Sequence, residues 1–285
     1  MTPEQKAKGV ITHSSGNHAQ AIALAAKRAG IDATIVMPVT APSVKKEAVL
    51  GYGAKVVDCA PDKRAETQDA IIAKEGQTPI GSYNHPHVMA GQGTLGLELL
   101  DQAKEMGAEL DMIIVPIGGG GMISGVATAA KGRNEAIRII AAEPALAADA
   151  YESKRLGVRQ GPVVGTKTIA DGLCTALGDL TWPVVRDKVE SIITVTEEEI
   201  EAAMELVWTR MKLCIEPSAA VGVAVAMSSK FQNLDGIQNV KNIGIVLCGG
   251  NVDVRKLPWM NKPAVESGLR SMPEMPNLRA CTSLF

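Results

Sequence analysis

A chain of 285 residues with 46% hydrophobic content can bury one large core or two modest ones, and its formal net charge of −2 leaves no basic stripe for nucleic acid and no acidic tail. No apolar run approaches the roughly 20 residues of a membrane span, the opening MTPEQKAKGV has no signal-peptide core, and aromatics at 3% give no base-stacking platform. Cysteines 59, 174, 214, 248 and 281 lack CxxC spacing, so neither disulfides nor thiolate metal sites are expected and a reducing, cytoplasmic setting is.

Short apolar runs alternate with helical patterns, the signature of parallel βαβ units. A strand is expected over Gly9–Thr12, a helix over Gly16–Ala29 stopped by Gly30, a strand over Ala33–Met37 and a helix over Ser43–Leu50 stopped by Gly51-Tyr-Gly. Lys55–Asp58 follows as a strand, Lys63–Lys74 as a helix closed by Gly76, and Pro79–Tyr83 as a fourth strand. The pattern then restarts with a helix over Gly91–Met106, a buried strand over Met112–Pro116, a helix over Met122–Lys131 and a strand over Arg138–Ala142. Residues 145–180 are rich in Gly and Ala and give no clear elements. A strand over Ser191–Val195 precedes a helix over Glu197–Lys212, opened by a capping box of Thr196 and Glu199. Ser218–Lys230 reads as a helix and Asn242–Leu247 as the last strand, before a proline- and methionine-rich tail from Pro258. The expected architecture is α/β, with a small domain over 1–88, a larger one over 89–257, open and mostly parallel twisted sheets, and a disordered tail over 258–285.

Three polar, glycine-rich loops follow strands, where doubly wound sheets place their ligands. In Thr12-His-Ser-Ser-Gly-Asn-His18, the side chains of Ser14, Ser15 and Asn17 and the free N–H groups of a helix start suit an anion such as a carboxylate. One Ser or Asn would suffice to cap the helix, and the packed run exceeds that need. His13 and His18 suit hydrogen-bonding support better than catalysis. Gly118–Gly121 lets several backbone N–H groups turn toward one point, a cradle for a single phosphate monoester. No GK[ST] follows it, and it lacks the spaced GxGxxG of dinucleotide folds. The third loop, Cys248-Gly-Gly-Asn-Val-Asp253, puts a small polar side chain where it can face a heterocycle nitrogen. Alone it reads as a turn.

Read in order, these loops resemble the serine racemase and serine/threonine dehydratase family of pyridoxal-phosphate enzymes, which has the tryptophan-synthase-β-like fold. The resemblance also covers Gly51-Tyr-Gly-Ala, His85-Pro-His-Val-Met-Ala-Gly-Gln-Gly-Thr94, Ala142-Glu-Pro144, Thr168-Ile-Ala-Asp-Gly172 and Met211–Pro217, and runs from about residue 8 to 256. It is closest to the serine racemases. It implies a fold-type II enzyme that interconverts L- and D-serine and eliminates water to give pyruvate and ammonia. The resemblance implies Asn17 and Asn84 as cofactor contacts, Gly118, Gly119, Gly120, Gly121 and the Met122 amide at the phosphate, and Cys248 opposite the pyridine nitrogen. A neutral thiol there leaves the ring less electron-demanding than an aspartate would. Ser15 is implied as acid/base on the face opposite the anchoring lysine, with Ser14, Asn17 and His18 beside it around the substrate. Two bases on opposite faces account for racemisation.

The resemblance further implies magnesium or calcium at Glu143, Asp149 and the carbonyl of Ala147, whose oxygens suit both ions. It implies ATP as an effector near Gln20 and Tyr52, and a homodimer. One departure stands out. The family's Schiff-base lysine lies in a Ser-Phe-Lys motif well before the Ser-Ser-Gly-Asn-His loop, whereas 13 residues precede Ser14 here. Lys6 and Lys8 are too close to the loop, and Lys45 and Lys46 belong to an ordinary family helix. The expectation is an N-terminally truncated chain without that lysine or the first strands of the larger domain. Such a chain is nearly inactive, or is a non-catalytic short form that binds cofactor or a full-length subunit. A nucleotide-dependent dehydrogenase is disfavoured by the absent GxGxxG.

Overall fold

The computed structural model describes residues 1–165 and 167–260. Its first half runs α1 (Pro3–Lys8), β1 (Val10–His13), α2 (Asn17–Ala29), β2 (Ala33–Pro38), α3 (Ser43–Gly51), β3 (Lys55–Cys59), α4 (Arg64–Glu75) and β4 (Thr78–Pro79). The second half runs α5 (Pro86–Glu105), β5 (Met112–Pro116), α6 (Gly121–Arg133), β6 (Arg138–Pro144), α7 (Asp149–Leu156), α8 (Thr181–Lys188), β7 (Ser191–Val195), α9 (Glu197–Leu206), α10 (Pro217–Met227), α11 (Ser229–Gln232) and β8 (Ile243–Ile245).

The strands form two parallel four-stranded sheets, ordered β3-β2-β1-β4 and β7-β6-β5-β8. Both sheets are covered on two faces, so their central strands are apolar on both. In β5, Met112 and Ile114 join the core under α9 and α10, while Ile113 and Val115 join the core under α6. In β2, Ile35 and Met37 pack on one side and Val36 on the other. The period of two along each strand thus divides each half into two cores.

In each sheet the chain starts at an inner strand, moves outward in one direction, then returns to the other side of that strand. The strand order therefore reverses between β1 and β4 and between β5 and β8. These are the topological switch points, where loops leaving the carboxyl ends of neighbouring strands diverge and open a crevice. The Ser14–Asn17 loop follows β1, the tetraglycine follows β5, and Cys248-Gly-Gly follows β8.

Several expectations need correction. The fourth strand is only Thr78–Pro79, because the chain turns away into the loop that carries Tyr83 and Asn84. The unassigned stretch 145–180 holds α7 and two short 3-10 turns, and α8, which begins at Thr181, had no visible sequence signal. The helix expected to reach Lys212 changes to a π-helical turn at Val207–Met211 and stops at Lys212 in the left-handed region (φ 59°). The expected Ser218–Lys230 helix breaks at Ser228, whose extended backbone and side chain open α11 instead. The domain boundary placed at 88/89 falls in the first turn of α5, and α5 packs along α6 of the second half. Trp259 stacks edge-on against Trp208 with ring centroids 5.8 Å apart, so residues 258–260 of the expected tail dock on the core; residues 261–285 lie outside the described residues.

Candidate active site

Gly16 occupies the N-cap of α2 with no side-chain cap bond, and Ser14 Oγ accepts the N–H of Gly16 at 3.3 Å. None of the polar side chains of this loop closes the helix start. The N–H groups of Asn17 and His18, with the positive end of the α2 dipole, stay available to an anion, while that of Ala19 donates to the Gly16 carbonyl at 3.2 Å. Ser15 and Asn17 are half-buried in the same turn.

Asn17 joins the two halves. Its Nδ2 donates to Glu216 Oε1 at 2.7 Å and its Oδ1 accepts from Asn251 Nδ2 at 2.5 Å. Glu216 Oε2 in turn accepts the Asn251 N–H at 2.9 Å. Gly249 must lack a side chain here, since a Cβ would stand 2.6 Å from Asn17 Nδ2 and 2.8 Å from Glu216 Cδ. The switch point of the first sheet is therefore stitched to the strand-end loop of the second. Burial raises the Glu216 carboxyl above its ordinary range, and the bonds from Asn17 and Asn251 offset part of that.

His18 is tied within the first half. Its Nε2 lies 3.1 Å from Thr12 Oγ1 and 3.4 Å from the Ile80 carbonyl, tying β1 to the chain after β4. Burial lowers its pKa below the ordinary 6.5, against the opposing bond to Ile80, and neighbouring His13 lowers it further. Because the unfolded chain takes up the proton first, stability is full above about pH 6.5 and falls as pH drops through that value toward the folded pKa. In urea titrations, His18→Gln is expected to flatten this acid-side slope; an unchanged slope would remove His18 from the account.

The tetraglycine is packed from both sides. A Cβ on Gly119 would stand 2.5 Å from the Tyr83 ring, one on Gly121 would stand 2.7 Å from Tyr83 Cβ, and one on Gly118 would stand 3.0 Å from Leu173 Cα. Gly120, at φ 85°, is the left-handed N-cap of α6. Thr181, fully buried, holds the loop by donating Oγ1–H to the Gly119 carbonyl at 2.8 Å while accepting the Gly178 N–H at 2.8 Å. Met122, in the first turn of α6, is partly buried against Leu177 and its neighbours. Asn84 is exposed, and its Oδ1 accepts the Leu180 N–H at 2.8 Å, binding the Tyr83 loop to the start of α8. Tyr83, Thr181, Glu216 and Asn251 were not legible as site residues. Only Glu216 and Asn251 fell within stretches of noted resemblance.

Cys248 lies between the two cores of the second half, and burial pushes its thiol up to about 12, with Glu216 adding to the effect. It is a neutral group at physiological pH. Glu143 caps α7, accepting the N–H groups of Ala150 and Tyr151 at 2.8 Å each. Burial nevertheless pushes it up to about 8, and Asp149 up to about 6. Asp149 Oδ2 is buried with no hydrogen-bond partner among the described residues, and Ala147 is buried two residues before it. Gln20 Nε2 is likewise buried and unpartnered, while Tyr52 is half-buried in the core of the first half. Lys45, buried on α3, reaches across to Asp171 at 2.5 Å, and Lys46 pairs with Asp58.

The sequence profile of the pyridoxal-phosphate dependent enzymes matches residues 2–249. The chain is 50% identical over 260 residues to the serine racemase of Arabidopsis thaliana, covering 90% of this chain and 77% of that one. It is 46% identical over 264 residues to human serine racemase, covering 91% and 75%. The chain belongs to the serine racemase and serine/threonine dehydratase family of pyridoxal-phosphate enzymes. Its fold superposes on maize serine racemase with a TM-score of 0.86 at 46% identity, covering 90% of this chain and 77% of that one. The processed form of threonine deaminase isoform 2 from Solanum lycopersicum gives 0.81 at 34% identity, covering 90% and 74%. Both parallel sheets are those of a fold-type II enzyme of this family, whose cofactor is pyridoxal phosphate.

The residues present fit that cofactor. Three glycines lead into α6 and a fourth opens it, so no Cβ shields the backbone at that helix N-terminus, which suits a phosphate dianion. The neutral Cys248 lies in the loop after β8, the strand beside β5.

Proposed function

We propose that these residues form the binding and proton-transfer site of a serine racemase that also eliminates water from serine or threonine. The observation that carries this reading is the Asn17–Glu216–Asn251 contact, which closes one crevice from both switch points. Gly118, Gly119, Gly120, Gly121 and the Met122 amide would hold the phosphate, Cys248 would serve the pyridine nitrogen as a neutral partner, and Asn17 and Asn84 would contact the ring. When bound, pyridoxal phosphate supplies an electron sink that acidifies the substrate's α-proton. The α2 N-terminus with Ser14, Ser15 and Asn17 orients the amino-acid carboxylate, and His18 fixes the loop from behind. Ser15 Oγ exchanges a proton with the α-carbon on its face.

No Ser-Phe-Lys motif occurs in these residues, and Lys45, the buried lysine near Glu216, is held by Asp171. These residues hold the cofactor by non-covalent contacts. The test is pyridoxal-phosphate titration followed by borohydride and peptide mass analysis. Saturable binding that dialyses away and leaves no pyridoxyl-lysine is expected. Absence of saturable binding would sink the cofactor site, and a labelled lysine among these residues would sink the reading that they hold the cofactor by non-covalent contacts.

A hard cation at Glu143, Asp149 and the Ala147 carbonyl belongs to the same proposal, supported by the orphaned Asp149 Oδ2. Magnesium or calcium chloride is then expected to raise the thermal midpoint, with stabilisation approaching about 2.7 kcal/mol at a hundredfold excess over Kd. Asp149→Ala should remove that increment, and an unchanged increment would place the ion elsewhere. The unpartnered Gln20 Nε2 supports ATP as an effector beside Tyr52. The working form is proposed as a cytoplasmic homodimer.

A further inference from the structure

Glu216 stands at the N-cap of α10, a position from which an acidic side chain ordinarily turns to its own helix's N–H groups. Here it makes no cap bond, although it is 2% exposed. Its carboxylate points instead to Asn17 Nδ2 and the Asn251 N–H, while its backbone N–H donates to the Gly249 carbonyl at 3.0 Å. The chain approaches this position through the π-helical turn and left-handed Lys212, and Trp208 fixes the approach by donating to the Ile215 carbonyl at 2.9 Å. Departures from regular helix geometry of this kind recur where a chain must aim a particular group.

We infer that Glu216 is a positioning residue that, with Asn251, fixes which way the Asn17 amide faces, so that Asn17 offers an N–H to the phenolic oxygen of the cofactor ring. The inference rests on Asn17 being the ring contact. An asparagine amide rotated by a half-turn exchanges a donor for an acceptor at nearly constant shape, so its orientation is set by its partners. A carboxylate only accepts, which obliges Nδ2 to face Glu216. With Nδ2 facing Glu216, Asn17 Oδ1 faces Asn251, whose own amide turns its Nδ2 to donate to it. Glu216 thus sets the orientation and Asn251 completes it, and the second Nδ2–H remains for an acceptor. Gly249 lets the three groups come together, because any Cβ there would collide with Asn17 and Glu216 together.

Glu216→Gln keeps the size of the side chain but presents either an oxygen or an NH2 group to Asn17, releasing the constraint. The test compares dissociation constants of the full chain for pyridoxal phosphate and for 3-deoxypyridoxal phosphate, which lacks the phenolic oxygen, by equilibrium dialysis. Wild-type chain should prefer pyridoxal phosphate by about tenfold, the size of one hydrogen bond. Glu216→Gln should bind pyridoxal phosphate about tenfold more weakly, bind the deoxy analogue as wild type does, and keep its melting temperature. Asn251→Asp, which replaces the donor by an acceptor, should lose the same preference, and the double variant should lose no more than either single one. If wild-type chain binds both cofactors equally, or Glu216→Gln keeps the preference, the positioning role is wrong while the cofactor site stands. An equal weakening toward both analogues would make Glu216 merely structural, and also overturns it. If wild-type chain binds neither compound, the cofactor site itself falls, and this inference with it.

Discussion

Gly125→Ala is expected to destabilise the protein by about 3 kcal/mol, an overpacking cost that the contact cannot relieve by rotating a side chain. Gly125 lies where α5 and α6 touch backbone to backbone. A Cβ there would stand 2.3 Å from the Met89 carbonyl oxygen, 2.5 Å from the Gly93 nitrogen and 2.9 Å from the Gln92 carbonyl carbon. Gly93 and Gly96 complete the contact from α5, facing Gly125 and Val126. The new methyl group meets only main-chain atoms, so the helices must separate and the core under α6 must open. A melting temperature lower by roughly 6–12 °C is expected in calorimetry. Gly132→Ala serves as control, since its Cβ would meet nothing within 4 Å in the same helix. That variant should match wild type or gain slightly from reduced backbone freedom in the unfolded chain. Equal midpoints for both variants would disprove the close α5–α6 contact.

Gly119→Ala is expected to weaken pyridoxal-phosphate binding by about a hundredfold, the loss of two hydrogen bonds to a charged group at about 1.5 kcal/mol each. The collision is with the root of the Tyr83 ring, at 2.5 to 2.6 Å, so the loop or the tyrosine must shift. The Thr181 bond to the Gly119 carbonyl resists movement of the loop. Tyr83→Ala in the same chain should therefore restore much of the lost affinity. Without that rescue in titrations of the double variant, the Tyr83 collision is not the cause.

The three loops were legible because they are dense in residues that ordinary structure does not require. Four consecutive glycines weaken any helix or strand, and Ser-Ser-Gly-Asn exceeds what a cap uses. The elements around them were legible for a different reason. Runs such as Met112–Pro116 and Ala33–Met37 are too apolar to face water on either side, and parallel sheets bury both. What could not be read was the partner of each polar group. Thr181 lies just past a stretch with no legible element in the sequence, and in the fold its hydroxyl holds the tetraglycine loop. Lys45 is one of two adjacent lysines on a helix, yet it is buried against Asp171 while Lys46 stays near the surface with Asp58.

By itself the sequence determined the class of fold, the order of most elements, the three strand-end loops and the family, because these depend on local composition and hydrophobic period. Tertiary structure decided that Glu216 turns from its own helix to Asn17, that Tyr83 covers the tetraglycine, and that α5 and α6 meet on glycine. Those are contacts between residues distant in the chain. They arise from how two doubly covered sheets bring their switch points together, which no window of sequence encodes.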